Sequence, residues 1–317
     1  MKTVSIINFK GGVGKTTLTA NLGAYAAYKG YRVLLMDLDP QNNLTFNFMT
    51  RAEWDAKYAP AKTMRNFFEP IVWGKEVPSL RPLIIKKTFG DVRLDLITSH
   101  IDLINIDLKL SNLLGGSDEK STAENYMKII SCLKKSLSTL EYQYDLVVID
   151  CPVNFNFTVK SALYASDYYI APTKLDALSS EGTYLLGRLI DSCCDECNEY
   201  INKLDDSKYE PLSLKMLGVV PMMAHVAKGK TLIDAELGFL HRLEGDYEVF
   251  GQFVRDNTAI FGAELKDKSG NVVPAVLAYA GVLGSFAKTA KSTIISELQL
   301  LCDQILGRMG LPKPNAK

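Results

Sequence analysis

The stretch Asn8-Phe9-Lys10-Gly11-Gly12-Val13-Gly14-Lys15-Thr16-Thr17 constrains this chain more than any other. It follows the apolar run 4–7, which predicts a buried strand, and precedes residues 18–29, which predict a helix. A strand, a glycine-rich turn and a helix start make a ready anion site, because the first N–H groups of a helix have no intrahelical acceptor. Gly11, Gly12 and Gly14 let the backbone curl around a phosphate without Cβ clashes. Lys15 then reaches the β- and γ-phosphates, and the Thr16 hydroxyl ligates Mg²⁺. The pattern departs from the ordinary phosphate loop in two ways: Phe9 stands where a first glycine is expected, and a second lysine, Lys10, precedes the double glycine.

Two acidic boxes follow at predicted strand ends. Residues 32–36 read as a strand that runs into Asp37-Leu38-Asp39-Pro40-Gln41-Asn42-Asn43. Acids at i and i+2 on an emerging strand project to one face, so Asp37 and Asp39 can look into one site. Further on, Leu146-Val147-Val148-Ile149 ends in Asp150, followed by Cys151 and Pro152. Four apolar residues closed by an aspartate form a Walker B pattern, whose carboxylate holds Mg²⁺ through its hydration shell.

The double-lysine loop, the DxDPQxN box and the Walker B aspartate, in this order, resemble the deviant Walker A ATPases of the ParA/MinD family, and ParA-type partition proteins in particular. The likeness runs from Met1 to about Leu306, although Val153-Asn154 replaces the second proline and its neighbour usual after the Walker B box. It implies an α/β fold, a mostly parallel twisted sheet flanked by helices on both faces. It implies one P-loop ATPase domain over residues 1–317, with an irregular insertion at about 50–92 and a C-terminal helical region at about 276–309. Catalytic roles fall to Lys10, Lys15 and Asp39, with Asp39 aligning the attacking water. Nucleotide contacts fall to Lys10, Gly11, Gly12, Val13, Gly14, Lys15, Thr16 and Thr17, with Pro221 and Met222 near the base. Thr16, Asp37 and Asp150 form the magnesium side. The implied activity is Mg²⁺-dependent, intrinsically slow ATP hydrolysis. Lys10 crosses a two-fold interface, so that ATP joins two subunits in a homodimer that binds DNA non-specifically; Arg255, Lys288 and Lys291 are the candidate DNA contacts. A ParB-like or cargo-adaptor protein then stimulates hydrolysis and releases the dimer, which moves or positions DNA or another cargo. The expected location is cytoplasmic and nucleoid-associated, with no membrane partner.

Composition limits the rivals. Lys+Arg and Asp+Glu both number 36, so any DNA contact depends on a local patch, not bulk charge. No run of about eighteen apolar residues exists, and the chain starts directly on a strand, which predicts neither a membrane span nor a signal peptide. A MinD-like membrane-associated ATPase is the first alternative, but it needs a basic amphipathic C-terminal helix, and residues 292–309 carry Glu297, Asp303 and Arg308 as their charges. A redox relative of the nitrogenase iron protein type needs cluster-ligating cysteines, and Cys151 alone lies near the phosphates. A non-hydrolysing nucleotide sensor is argued against by the intact Asp39. Cys193, Cys194 and Cys197 read as helix thiols, because no second pair at zinc-site spacing follows.

The remaining pattern predicts strands at 93–97, 168–171, 214–221 and 247–254. It predicts helices at 103–114, 126–140, 180–200, 224–245 and 292–309, a C-cap at Gly115-Gly116 and a loop at 271–275. The aromatics of the insertion, Trp54, Phe67, Phe68 and Trp73 among them, read as core filling rather than as a nucleic-acid platform. His100 reads as structural.

Overall fold

Strands that are apolar on both faces need cover on both faces, and helices between parallel strands supply it. The computed structural model describes residues 1–89, 92–204, 208–227, 232–256, 265–266, 272–273, 292–312 and 314. The chain runs through β1 (Lys2–Ile6), α1 (Lys15–Tyr28), β2 (Val33–Asp37), α2 (Asn43–Phe48), α3 (Arg51–Lys57) and α4 (Met64–Val72). It continues through β3 (Ile85–Phe89), β4 (Val92–Ile97), α5 (Leu103–Ser111), α6 (Glu119–Ile130), α7 (Cys132–Ser138), β5 (Leu146–Asp150) and α8 (Phe157–Tyr164). Then come β6 (Tyr168–Thr173), α9 (Ala177–Leu204), β7 (Lys215–Ala224), α10 (Asp234–Asp246), β8 (Val254–Arg255), the short pair β9 (Leu265–Lys266) and β10 (Val272–Val273), and α11 (Ser292–Arg308).

Eight strands form one sheet in the order β3-β4-β2-β5-β1-β6-β7-β8, parallel throughout except for β3 against β4. This is the expected fold class. β5 lies between β1 and β2, and its register sets both Ile6 and Asp37 opposite Asp150. The three strand ends that carry the sequence motifs therefore stop level and side by side, at the edge where open α/β sheets hold ligands. One face is covered by α1 and α11, with Leu18, Leu22, Leu301 and Ile305 fully buried. The other face is covered by α4, α7, α8 and α9, with Phe67, Phe68, Leu133, Val159 and Leu186 fully buried. Each such side chain contributes roughly 1.5–3 kcal/mol of burial, which fixes the strands that carry the site.

Several boundaries differ from the pattern reading. The segment 50–92 is built into the domain: Trp54, Phe67 and Phe68 are buried, and β3 extends the sheet from inside it. Trp73 is the exception, exposed beneath the Lys109 ammonium. Gly115 ends its helix in an extended conformation, φ −60° and ψ 138°, not in a left-handed cap. The helix expected at 126–140 starts earlier, where the Asp118 side chain accepts from Ser121 N at 2.7 Å, and divides at Ser131 into α6 and α7. The helix expected from 224 starts at Asp234, because β7 runs on to Ala224 and Val226 bridges Leu232. Of the strand expected at 247–254, Val254 alone lies in β8, while Val249 makes a single bridge to Val219. There the chain crosses hard against Gly218, at φ 150°, where an added Cβ would fall 2.9 Å from Glu248 O. Val272 and Val273, expected in a loop, pair with β9.

Candidate functional site

The loop between β1 and α1 is shaped by backbone that only glycine adopts readily. Gly12 has φ 68° and Gly14 has φ 91°, and Gly14 forms the N-cap of α1. A Cβ on Gly14 would also lie 2.6 Å from Met222 Cε. Asn8 anchors the approach: its Nδ2 donates to Pro172 O at 2.8 Å and its Oδ1 accepts from Lys10 N at 2.9 Å. Lys15 is buried, and its Nζ donates to Lys10 O at 3.2 Å across the loop. Burial pulls its pKa down, while the Asp150 and Asp39 carboxylates oppose that shift.

The Thr16 hydroxyl donates to Asp150 Oδ2 at 2.7 Å, and Thr19 Oγ1 donates to Asp150 Oδ1 at 3.2 Å. The first turn of α1 and the end of β5 are thus joined at the atoms expected to face Mg²⁺. Asp37 Oδ2 accepts from Thr45 N at 2.8 Å and Thr45 Oγ1 at 2.7 Å, and its Oδ1 accepts from Asp39 N at 3.1 Å. Burial drives the Asp37 carboxyl well above the usual carboxylate range, and Asp150 adds to the rise. Asp150 is pushed up to about 7, again chiefly by burial. Two fully buried carboxyls on neighbouring strands and the Thr16 hydroxyl supply oxygens of the kind a hard cation takes, and the Lys15 ammonium beside them is a positive charge suited to phosphate.

A cleft of about 690 Å³ opens above these groups. Gly11, Gly12, Gly14, Lys15, Thr16 and Thr17 form its floor, and Asp39, Phe46, Ile104, Asn154 and Met223 stand around it. Of the site residues read from the sequence, the phosphate loop, Asp37, Asp39 and Asp150 come together. Pro221 and Met222 do not line the cleft; Met222 packs under Gly14, and Met223, at φ 56°, takes the lining position. Arg255 pairs with Glu297 of α11 at 2.7 Å, and its side chain is mostly covered. Lys288 and Lys291 lie outside the described residues.

Lys10 takes a position that the motif does not reveal. Its Nζ sits 3.0 Å from both carboxylate oxygens of Asp176 and 2.8 Å from Ser179 Oγ. Asp176 is also the acceptor for Ser179 N at 2.7 Å, at the start of α9. The sequence signal for this pair was an Asp-x-x-Ser step before a helix, which reads only as a cap.

A family model described as an AAA domain matches residues 1–203. The chain belongs to the ParA/MinD family of P-loop ATPases. It is 32% identical over 181 residues to the sporulation initiation inhibitor protein Soj of Bacillus subtilis, covering 57% of this chain and 61% of Soj. It is 29% identical over 191 residues to the chromosome partitioning protein ParA of Caulobacter vibrioides, covering 60% of this chain and 62% of that protein. The matched region thus spans about six-tenths of either relative. The structure of apo McdA from Cyanothece shares the fold over 97% of this chain and 100% of its own, with a TM-score of 0.65 at 18% identity.

All six cysteines are free thiols, and burial pushes Cys151, next to the Walker B aspartate, up to about 12. Among the described residues no group of three or more His, Cys, Asp or Glu side chains is arranged to hold a metal ion. His100 accepts from Asp102 N at 3.1 Å and packs on Trp54, which gives it the partners that the sequence left open.

Proposed function

We propose that this chain is a ParA-type ATPase that forms an ATP-bound homodimer, binds DNA non-specifically and is released by partner-stimulated hydrolysis. The observation that carries the reading is the convergence of Lys15, Thr16 and Asp39 on one cleft, with Asp150 held by Thr16 beneath it and a second lysine, Lys10, on the same loop. Backbone N–H groups of Gly11 to Thr17 would cradle the phosphates, and Lys15 would balance their charge. Mg²⁺ beside Thr16 and Asp150 would neutralise charge on the β- and γ-phosphates. Asp39 would hold the attacking water in line, while Asp37, fixed by Thr45, keeps the loop that carries Asp39 in place. Lys10 would leave Asp176 to meet the nucleotide of a second subunit, giving a self-complementary dimer that lasts as long as the γ-phosphate. Arg255, Lys288 and Lys291 remain the proposed DNA contacts, and Arg255 would have to leave Glu297 to meet a phosphate.

The membrane-associated alternative asks α11 for a free apolar face. Ile294, Leu298, Leu301, Ile305 and Leu306 of that helix are instead buried against the sheet face shared with α1, which favours the DNA-binding reading. No helix is long and apolar enough to cross a membrane among the described residues.

The two lysines separate the parts of this proposal. Lys15→Ala should lose ATP binding, since the buried cation over the phosphates is gone. Lys10→Ala should bind ATP at near-normal affinity and fail to dimerise in analytical ultracentrifugation with ATP and Mg²⁺. Unchanged ATP affinity in Lys15→Ala would sink the site assignment, and an ATP dimer of normal strength in Lys10→Ala would sink the interface role.

A further inference from the structure

A second concavity, also of about 690 Å³, shares no lining residue with the nucleotide cleft. Its walls come from the turn after α4, from α6, from the start of α7 and from the chain after α9. Lys75, Lys120, Lys128, Lys135 and Lys208 line it, against the two carboxylates of Glu76 and Glu124. In a chain with equal numbers of acidic and basic residues this is a marked local imbalance.

Half of the described lysines elsewhere in the fold are neutralised. Lys2, Lys10, Lys29, Lys87, Lys134, Lys160 and Lys203 each meet a carboxylate within 4.0 Å. Lys75, Lys120, Lys128 and Lys135 form no ion pair with a described residue. Five ammonium groups lining one concavity against two carboxylates raise the local potential and select multivalent anions. No arginine lines the cleft, so it offers point charges suited to phosphate oxygens rather than planar forks for carboxylates. Tyr209, the aromatic in the lining, is 9% exposed and has the Lys208 ammonium 4.5 Å over its ring, so it gives nucleic-acid bases no face to stack on. The cations converge from four segments on one hollow, which fits a compact ligand better than a long rod.

We propose that this cleft binds a compact oligophosphate, free or carried on a nucleoside, as an anion site separate from the phosphate loop. Titration calorimetry with inorganic tripolyphosphate in the absence of Mg²⁺ tests it, in a Lys15→Ala background that disables the phosphate loop. Binding is expected there, and it should weaken by about tenfold or more when Lys120→Gln, Lys128→Gln and Lys135→Gln are added, since three surface charges are removed. The same three positions changed to arginine should restore it, which separates charge loss from misfolding; circular dichroism checks the fold of each variant. Affinity should fall with added salt. The proposal is overturned if the Lys15→Ala protein binds no tripolyphosphate, or if the glutamine variant binds it as well as its parent. It is equally overturned if an oligoglutamate peptide displaces tripolyphosphate at matched charge, or if duplex DNA uses these lysines while tripolyphosphate does not.

Discussion

Lys10 and Lys15 share one loop and meet opposite surroundings. Lys15 is buried over the acidic strand ends, whereas the Lys10 side chain is about one-third exposed and tied to Asp176 and Ser179 of its own chain. Such a tie would have to break before Lys10 could reach across the proposed interface, so it would oppose the proposed dimerisation. Asp176→Asn keeps an acceptor for Ser179 N but removes the charge that holds Lys10. The ATP dimer of this variant should form at a few-fold lower protein concentration, since a half-exposed pair contributes about 0.5–1 kcal/mol. Sedimentation across a concentration series checks it, and a weaker dimer would mean that Asp176 serves the interface instead. The loop glycines, Lys15 and Thr16 were legible because their demands are local: a tight anion cradle needs those residue types in that order. Asn8, Asp176 and Thr45 were not, because each acts through a partner that only the fold supplies, as Asn8 does with Pro172.

At the scale of the element, the sheet is pinned at both ends of its central strands. At the far end from the cleft, Arg32 and Asp145 precede β2 and β5, and Asp145 accepts from Arg32 N at 2.8 Å, Nε at 3.1 Å and Nη2 at 2.6 Å. The Arg32 guanidinium holds the Asp145 carboxyl below the usual carboxylate range. A carboxylate whose folded pKa is depressed adds stability above its unfolded pKa, about 4, and loses it as pH falls through the folded value. Urea unfolding of wild type between about pH 3 and pH 6 should therefore show an acid-side loss of stability that Arg32→Ala lacks in part. Parallel pH profiles for the two proteins would show that the clamp adds nothing. Elements with strong local patterns, such as β2 and β5, were read from the sequence to within a residue or so. β3 was missed because its alternating edge pattern, Ile85-Lys86-Lys87-Thr88-Phe89, lies among prolines and is made a strand by pairing with β4. The late strand near 247–254 was overread because apolar residues there pack against Gly218 and α11 rather than along a ladder: Arg308 lies 4.1 Å over the Phe250 ring and donates to Val249 O.

At the scale of the whole molecule, strand order does what no single motif can. Residues 8–17, 37–43 and 150 are far apart in the chain, and the sequence of β2, β5 and β1 across the sheet brings them to one edge. In this arrangement Asp39 stands at the cleft wall, while Asp37 and Asp150 lie beneath it, held by threonines. Asp39→Ala should thus leave the phosphate cradle intact and remove the group that aligns water. The variant should bind ATP with Mg²⁺ and dimerise, yet hydrolyse ATP at least about a hundredfold more slowly, in the range expected for loss of a positioned base. If the dimer is the DNA-binding form, the variant should accumulate on duplex DNA of any sequence, because two weak basic surfaces act together only when joined. Its affinity should fall steeply between low and moderate salt as phosphate contacts release counterions. Filter binding on unrelated duplexes across a salt series, with ATP turnover measured on the same preparation, reads both parts. A slow, ATP-bound dimer that ignores DNA at low salt but sediments with anionic liposomes would overturn the DNA assignment and favour a membrane-positioned ATPase. Normal turnover would move the water-aligning role away from Asp39.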